Sequence, residues 1–261
     1  MTYNVRLDLA SDGANAWPKR KDMVAALIGH EAPDILGMQE VLAGQKHDLE
    51  EALPSYRFIG VGRDDGGDKG EFSPLAWRND RFVLVDWGNF WLSETPANPG
   101  KGWDAAYPRI ATWALLRERG SGRPLRVLNT HFDNVGEVAR ERAAEMIVRW
   151  AREGQGSDLS AATVVMGDFN VPPGSRPHAL LADAEHSGLK DAKTLSTTPP
   201  YGPSGTFTGF DISKDAGEPI DHIFVSSGIR VRGYSVVTQH WGGWLPSDHY
   251  PVIVELQLPD R

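Results

Sequence analysis

Short segments rich in Val, Ile, Phe, Tyr and Trp recur from one end of this chain to the other, each bounded by Gly, Pro, Asn or Asp. They fall at residues 3–9, 35–39, 56–60, 75–77, 82–91, 112–117, 126–131, 163–168, 220–225, 234–238 and 252–257. Length, composition and flanks read as β-strands. Helical spacing is rarer. Residues 17–30 open with Pro18 and carry Val24, Leu27 and Ile28 on one face. Residues 43–52 end before Pro54, residues 135–153 place Ala139, Ala143, Met146, Ile147 and Trp150 at helical spacing, and 176–183 form a fourth helix. Residues 63–73, 93–109, 196–219 and 239–246 read as loops. Strands dominate throughout, and no composition shift or fixed-period repeat marks a boundary. The chain, 1–261, therefore reads as one domain.

The chain has no cysteine, which removes disulfides and thiolate metal sites. A metal here must be held by oxygen or imidazole, and a carboxylate-rich set favours hard cations. No apolar run has membrane-spanning length. The sequence enters its first strand at once, which suits a cytoplasmic protein or an exported one whose leader has been removed. Net charge is −8. Gripping a long nucleic acid calls for a basic face, so this balance disfavours nucleic acid as the partner. The basic clusters Lys19-Arg20-Lys21 and Arg140 with Arg142 read as solvated helix faces. Nothing in the sequence fixes the oligomeric state.

Several strands end in chemistry. Ile35-Leu36-Gly37-Met38-Gln39-Glu40 is an apolar run that delivers a carboxylate, and Val164-Val165-Met166-Gly167-Asp168-Phe169-Asn170 delivers a carboxylate and an amide. A buried strand ending in Asp or Glu puts that charge at the rim of a sheet. Taken alone, Asp168 reads equally well as a turn cap. Leu128-Asn129-Thr130-His131-Phe132-Asp133 ends in polar groups, and Asn4 interrupts the first strand. An Asn in a strand is more often a local hydrogen-bonding residue than a ligand. Ile220-Asp221-His222 starts one strand and Ser247-Asp248-His249 precedes the last. Neighbours on a strand face opposite ways, so an adjacent Asp and His do not pair by adjacency. A His oriented by a carboxylate from elsewhere is a candidate acid, base or charge stabiliser.

In order, these motifs run Asn4, Gln39-Glu40, Thr130-His131, Gly167-Asp168-Phe169-Asn170, Ile220-Asp221-His222, Ser247-Asp248-His249. The set resembles the endonuclease/exonuclease/phosphatase superfamily, and the likeness spans Asn4 to His249. It implies a DNase I-like α/β fold: a four-layer sandwich of two mostly antiparallel sheets packed face to face and flanked by helices. It also implies a metal-dependent phosphoric ester hydrolase using Mg2+, with Mn2+ as a substitute. By the resemblance, Glu40 is the main metal ligand, helped by Asn4 or Asp248. Asp168 orients or deprotonates the attacking water, Asn170 holds that water or a phosphate oxygen, and His131 contacts phosphate. His249 stabilises charge on the phosphoryl group, and Asp221 orients it and raises its pKa.

Arg109, where a loop enters a strand, suits two-point contact with a phosphate oxygen or an ordinary structural role equally. Trp91, Trp103, Trp241 and Trp244 lie in or beside loops, and Trp241 is a candidate platform for a base or sugar ring. An acidic chain with Trp-lined loops favours a small phosphorylated substrate, monoester or diester: a sugar phosphate, a nucleotide or a lipid headgroup. A nuclease is the alternative. A glycosidase shares paired carboxylates and Trp platforms but needs neither a metal nor the His–Asp pair. A catalytically dead binding module would be expected to have lost one of Glu40, Asp168, Asn170, Asp248 or His249.

Overall fold

The computed structural model describes residues 1–153 and 161–259. Its strands are β1 Thr2–Asn4, β2 Ile35–Gln39, β3 Tyr56–Ile59, β4 Leu75–Arg78, β5 Phe82–Trp91, β6 Ile110–Glu118, β7 Pro124–His131, β8 Ala162–Asp168, β9 Leu189–Asp191, β10 Asp221–Ser226, β11 Arg230–Val236 and β12 Val252–Gln257. The helices are α1 Trp17–Glu31, α2 Ala43–Ala52, α3 Glu137–Glu153, α4 Arg176–Ala182 and α5 Ala192–Leu195. One sheet has the order β11-β12-β1-β2-β4-β3, the other β5-β6-β7-β8-β10-β9. Each contains one parallel pair at its centre, β1 with β2 and β7 with β8, and its remaining pairs are antiparallel.

The strands alternate apolar residues between the two faces of each sheet, so each sheet has two faces to cover. Leu75, Trp77, Val127, Val164, Ile223 and Val252 fill the space between the sheets. The outer face of the first sheet packs Tyr3, Leu36 and Met38 against Val24, Leu27 and Ile28 of α1 and Leu49 of α2. That of the second packs Leu128, Val165 and Phe224 against Ala143, Met146 and Ile147 of α3 and Leu181 of α4. Each fully buried Leu, Ile or Phe contributes about 1.5–3 kcal/mol of transfer free energy. The result is the four-layer DNase I-like sandwich.

The departures from sequence expectation have local causes. β1 ends at Asn4 instead of running to Leu9, because Arg6 turns left-handed at φ 58° and the chain leaves the sheet. Ala10–Asn15 then forms a 3-10 segment between β1 and α1. β11 starts at Arg230 rather than Tyr234, and a register shift between Val231 and Gly233 interrupts the alternation that would have marked it. β9 and α5 are too short to carry a periodicity. Arg20 is the clearest reversal: expected on a solvated face, it is buried. Its guanidinium donates to the carbonyls of Val5, Arg6 and Leu7 in the turn after β1 and to those of Asn15 and Pro246 from two other segments. Among the described residues no helix is long and apolar enough to cross a membrane.

Candidate active site

Strand register in the second sheet brings three site residues into line. His131 at the end of β7 pairs with Asp168 at the end of β8, and Asp168 pairs across to Asp221 at the start of β10. Their side chains share one face at the sheet's rim. Gly167, just before Asp168, has φ 155°, and a Cβ there would collide with the Thr130 carbonyl. Only glycine lets β7 and β8 close at this point. Asn170 then turns left-handed at φ 51°, its N–H donates to Asp168 Oδ1 (2.9 Å), and its Nδ2 donates to the Phe132 carbonyl (3.0 Å).

The first sheet brings Asn4 and Gln39 into register, and Glu40 follows with a left-handed φ of 61°. Asn4 Nδ2 donates to Glu40 Oε1 and to Asp168 Oδ2, both at 3.0 Å, so one amide joins the edges of the two sheets. Below it, Gln39 Nε2 donates to Asn129 Oδ1 (2.6 Å), and Asn129 Nδ2 donates to the carbonyls of Met38 and Pro74. Gly37 permits this approach, since a Cβ there would lie 2.7 Å from Asn129 Oδ1. Glu40 Oε2 also accepts from the Leu7 N–H at 3.2 Å, in the turn that Gln45 fixes through Asp8 N and the Arg6 carbonyl.

His249 arrives on the loop before β12. Ser247 Oγ donates to the Asn4 carbonyl (2.7 Å), while the N–H groups of Thr208 and Tyr250 donate to the carbonyls of Asp248 and Thr206 (2.7 Å each). Thr206 Oγ1 in turn accepts from Asp221 N. Nδ1 of His249 thereby meets Asp221 Oδ2 at 2.8 Å, and its Nε2 lies 3.8 Å from Asp168 Oδ2. His131 Nε2 lies 3.6 Å from the same Asp168 oxygen. Asp221 and His222 divide their labour by strand alternation. His222 points to the far side, where its Nε2 bonds the Val171 carbonyl (2.9 Å) beside a His178–Asp191 pair (3.1 Å) and steadies the turn carrying Asn170.

Burial, then the neighbouring Asp221 charge, raises Asp168 to about 7. Burial alone would lower His249, but Asp221, by charge and hydrogen bond, and then Asp168 lift it to about 10. His131 is pushed well below its usual value by burial and then by Arg109, Arg63 and His249, so it is neutral at physiological pH. Burial and Glu40 raise Asp248. The site thus sets a carboxylate able to take a proton beside an imidazolium able to donate a hydrogen bond.

Glu40 and Asp248 converge on one guanidinium. Arg6 Nη1 is 3.9 Å from Glu40 Oε2, and Arg6 Nε is 3.9 Å from Asp248 Oδ2, while Asp12 holds the same guanidinium at two points. Two carboxylates facing a common positive charge, in a chain without cysteine, form a donor set that fits a hard divalent cation. Asn4 fits less well as a ligand, because it turns its amide nitrogen toward Glu40 and Asp168 and its Oδ1 accepts from Arg6 N.

Arg109 is buried, with Nε 3.3 Å from Asp133 Oδ2 and Nη2 donating to Asn134 Oδ1 (3.0 Å). Asp133 drops to about 2: burial would raise it, but the N–H groups of Gly136, Ala106 and Val135, and then Arg109, outweigh that. Trp241 lies apart from the cluster. It pairs with Trp244 across a turn and lines a groove of about 370 Å³ with Asn15, Lys19 and Met23. Trp91 is buried and its Nε1 donates to the Arg63 carbonyl (2.7 Å).

Arg6, Arg63 and Glu71 were missed from the sequence. Arg6 follows Asn4 by two positions, and Arg63 and Glu71 bracket a Gly- and Asp-rich loop, which was the available signal.

The family model described as Endonuclease/Exonuclease/phosphatase family matches residues 1–249. An endonuclease/exonuclease/phosphatase family protein from Bacteroides thetaiotaomicron superposes with TM-score 0.92 at 38% identity, covering 98% of this chain and 92% of that one. A mannosyl-6-phosphatase of the same species superposes with TM-score 0.91 at 37% identity, covering 98% of each chain. The human Nocturnin catalytic domain, with TM-score 0.73 at 21% identity over 97% of this chain and 92% of that one, shares the fold. The chain belongs to the endonuclease/exonuclease/phosphatase family and is a phosphoric ester hydrolase.

Proposed function

We propose that this chain is a Mg2+-dependent phosphatase that releases inorganic phosphate from a small phosphorylated molecule by direct attack of water, with Mn2+ as a substitute ion. The observation that carries the reading is the Asp168–His249–Asp221 line, with 3.8 Å from Asp168 to His249 and 2.8 Å from His249 to Asp221. The full-length likeness to a mannosyl-6-phosphatase supports a monoester. Because its parts come from both sheets, residues 1–261 act as one catalytic unit. The net charge of −8 argues against a nuclease.

In this reading Asp168 orients the water and accepts its proton, Asn170 fixes the carboxylate and lends its free amide hydrogen to the water, and His249 donates Nε2–H to a phosphoryl oxygen. Asp221 keeps His249 charged and aligned. His131 and Arg109 contact the phosphate. Glu40 and Asp248 would hold the cation, which supplies positive charge against the leaving oxygen. Asn4 positions Glu40 and Asp168. Trp241 would contact the distal part of a larger substrate. Such a site works by placement and charge stabilisation.

The test is phosphate release with and without Mg2+ from sugar phosphates, nucleotides, an aryl phosphomonoester, an aryl phosphodiester and DNA. His249→Ala should lower kcat about 10²–10⁴-fold. Turnover that survives EDTA, or near-normal kcat in His249→Ala, would sink the mechanism.

A further inference from the structure

Three carboxylates from three segments surround the guanidinium of Arg6, which has no part in the reaction described above. Asp12, in the 3-10 segment, accepts from Nε at 2.9 Å and from Nη2 at 3.1 Å. Glu40 Oε2, just after β2, lies 3.9 Å from Nη1, and Asp248 Oδ2, before β12, lies 3.9 Å from Nε. Nη1 has no hydrogen-bond partner among the described residues, and its nearest printed carboxylate is that of Glu40. One cation at the meeting point of three anions is the layout of an ion site, with a guanidinium at its centre.

The backbone is shaped to put this side chain there. Arg6 sits at φ 58°, a left-handed conformation that glycine adopts freely and that strains a residue with a side chain. Its N–H donates to Asn4 Oδ1 (3.0 Å), and its carbonyl accepts from Gln45 Nε2 (2.9 Å) and from Arg20. A strained residue held from three sides, where glycine would turn without strain, points to a use for the guanidinium. That group is permanently charged and carries its donors in one plane, so it can face several carboxylates at once. With all three carboxylates ionised, the group keeps two negative charges in surplus, which a single divalent ion cancels.

We infer that Arg6 stands in place of a second divalent ion, so that this protein holds one ion where a two-metal hydrolase holds a pair. The inference rests on the reading of Glu40 and Asp248 as the cation's ligands. In two-metal sites the ions lie about 3.5–4 Å apart. An ion held by Glu40 and Asp248 has the Arg6 guanidinium as its immediate neighbour, and a second ion would meet both its bulk and its charge. Asp12, which grips the guanidinium at two points, keeps it from closing onto Glu40 and Asp248 and so leaves those two carboxylates to the ion.

The experiment counts Mn2+ ions bound to EDTA-treated protein, read from the electron paramagnetic resonance signal of the free ion, and needs no substrate. The wild type and Arg6→Lys, which keep the positive charge, should each bind one ion. Glu40→Gln should weaken that ion at least tenfold. Arg6→Met, which leaves Asp12, Glu40 and Asp248 facing one another with no cation between them, should bind two. Adding Asp12→Asn to Arg6→Met should return the count to one. If Arg6→Met fails to fold, as judged by circular dichroism, Arg6→Gln removes the same charge and decides. A wild type that binds two ions, or a folded Arg6→Met or Arg6→Gln protein that still binds one, overturns the inference and leaves Glu40 and Asp248 standing as ligands. A wild type that binds none defeats both.

Discussion

Asp168 and His249 are pushed in opposite senses by the same surroundings, and that opposition makes a rate profile predictable. In the proposed mechanism Asp168 must lose its proton to act as a base, and its value near 7 would set an acid limb. In the same mechanism His249 must keep its proton to donate, and its value near 10 would set an alkaline limb. We expect kcat/KM to rise through pH 7 and fall through pH 10, with the acid limb moving lower as cation concentration rises, since a nearby positive charge favours the carboxylate. Asp221→Asn removes the anion that lifts His249, so the alkaline limb should drop by more than one pH unit. An alkaline limb that stayed in place would mean His249 is not held charged by Asp221. The residue types at this site were legible as strand-ending carboxylates and histidines. Their pairing was legible only through the family resemblance and not from the motifs themselves, because Asp221 and His249 are joined by a hydrogen bond spanning 28 positions, and Asp248, adjacent to His249, faces Arg6 instead.

At the scale of elements, α3 begins beside the site, and Asp133 joins the two. It accepts from Gly136 N (2.8 Å) and Val135 N (3.0 Å) ahead of the helix, and from Ala106 and Tyr107 N in the loop that delivers Arg109. Asp133→Ala should cost roughly 3 kcal/mol in chemical denaturation, combining lost hydrogen bonds to loop N–H groups with an unpaired buried guanidinium. Its folded pKa is depressed from 3.8 to about 2, so its contribution is whole above the unfolded value and is lost as pH falls through 2. The wild type should therefore lose about 1–2 kcal/mol more than Asp133→Ala between pH 5 and pH 2. Equal acid sensitivity in the two proteins would refute the assignment. Long strands and helices were readable because burial imposes their period: β5 and β12 have the bounds the pattern gives. What escaped was set by tertiary contact. β1 is cut short by the turn that Arg20 and Gln45 hold, and Arg20 looks like any basic helix residue until carbonyls from three segments meet it.

Across the whole molecule, the sandwich converges its anions. Glu40 comes from the first sheet, Asp168 and Asp221 from the second, Asp248 and Glu71 from loops, all at one edge. Asn4, Gln39 and Asn129 hydrogen-bond across the gap between the sheets. Burial keeps Asp168, Asp248 and Glu71 above their ordinary values, so this edge is under electrostatic tension that protons or a cation can relieve. A divalent ion bound to the folded state alone adds RT ln(1 + [ion]/Kd), about 2.7 kcal/mol at a hundredfold excess over Kd. At ~2–4 °C per kcal/mol for a chain of this size, Mg2+ should raise Tm by about 5 °C or more. Glu40→Gln removes one of the two carboxylates facing Arg6. Its cation-free Tm should equal or exceed that of the wild type, and its response to Mg2+ should be small. A wild-type Tm indifferent to Mg2+ and Mn2+, or a Glu40→Gln protein that responds as fully as the wild type, would place the cation somewhere other than this edge. Thermal unfolding monitored by circular dichroism in EDTA and in each ion separates these outcomes without reference to any substrate.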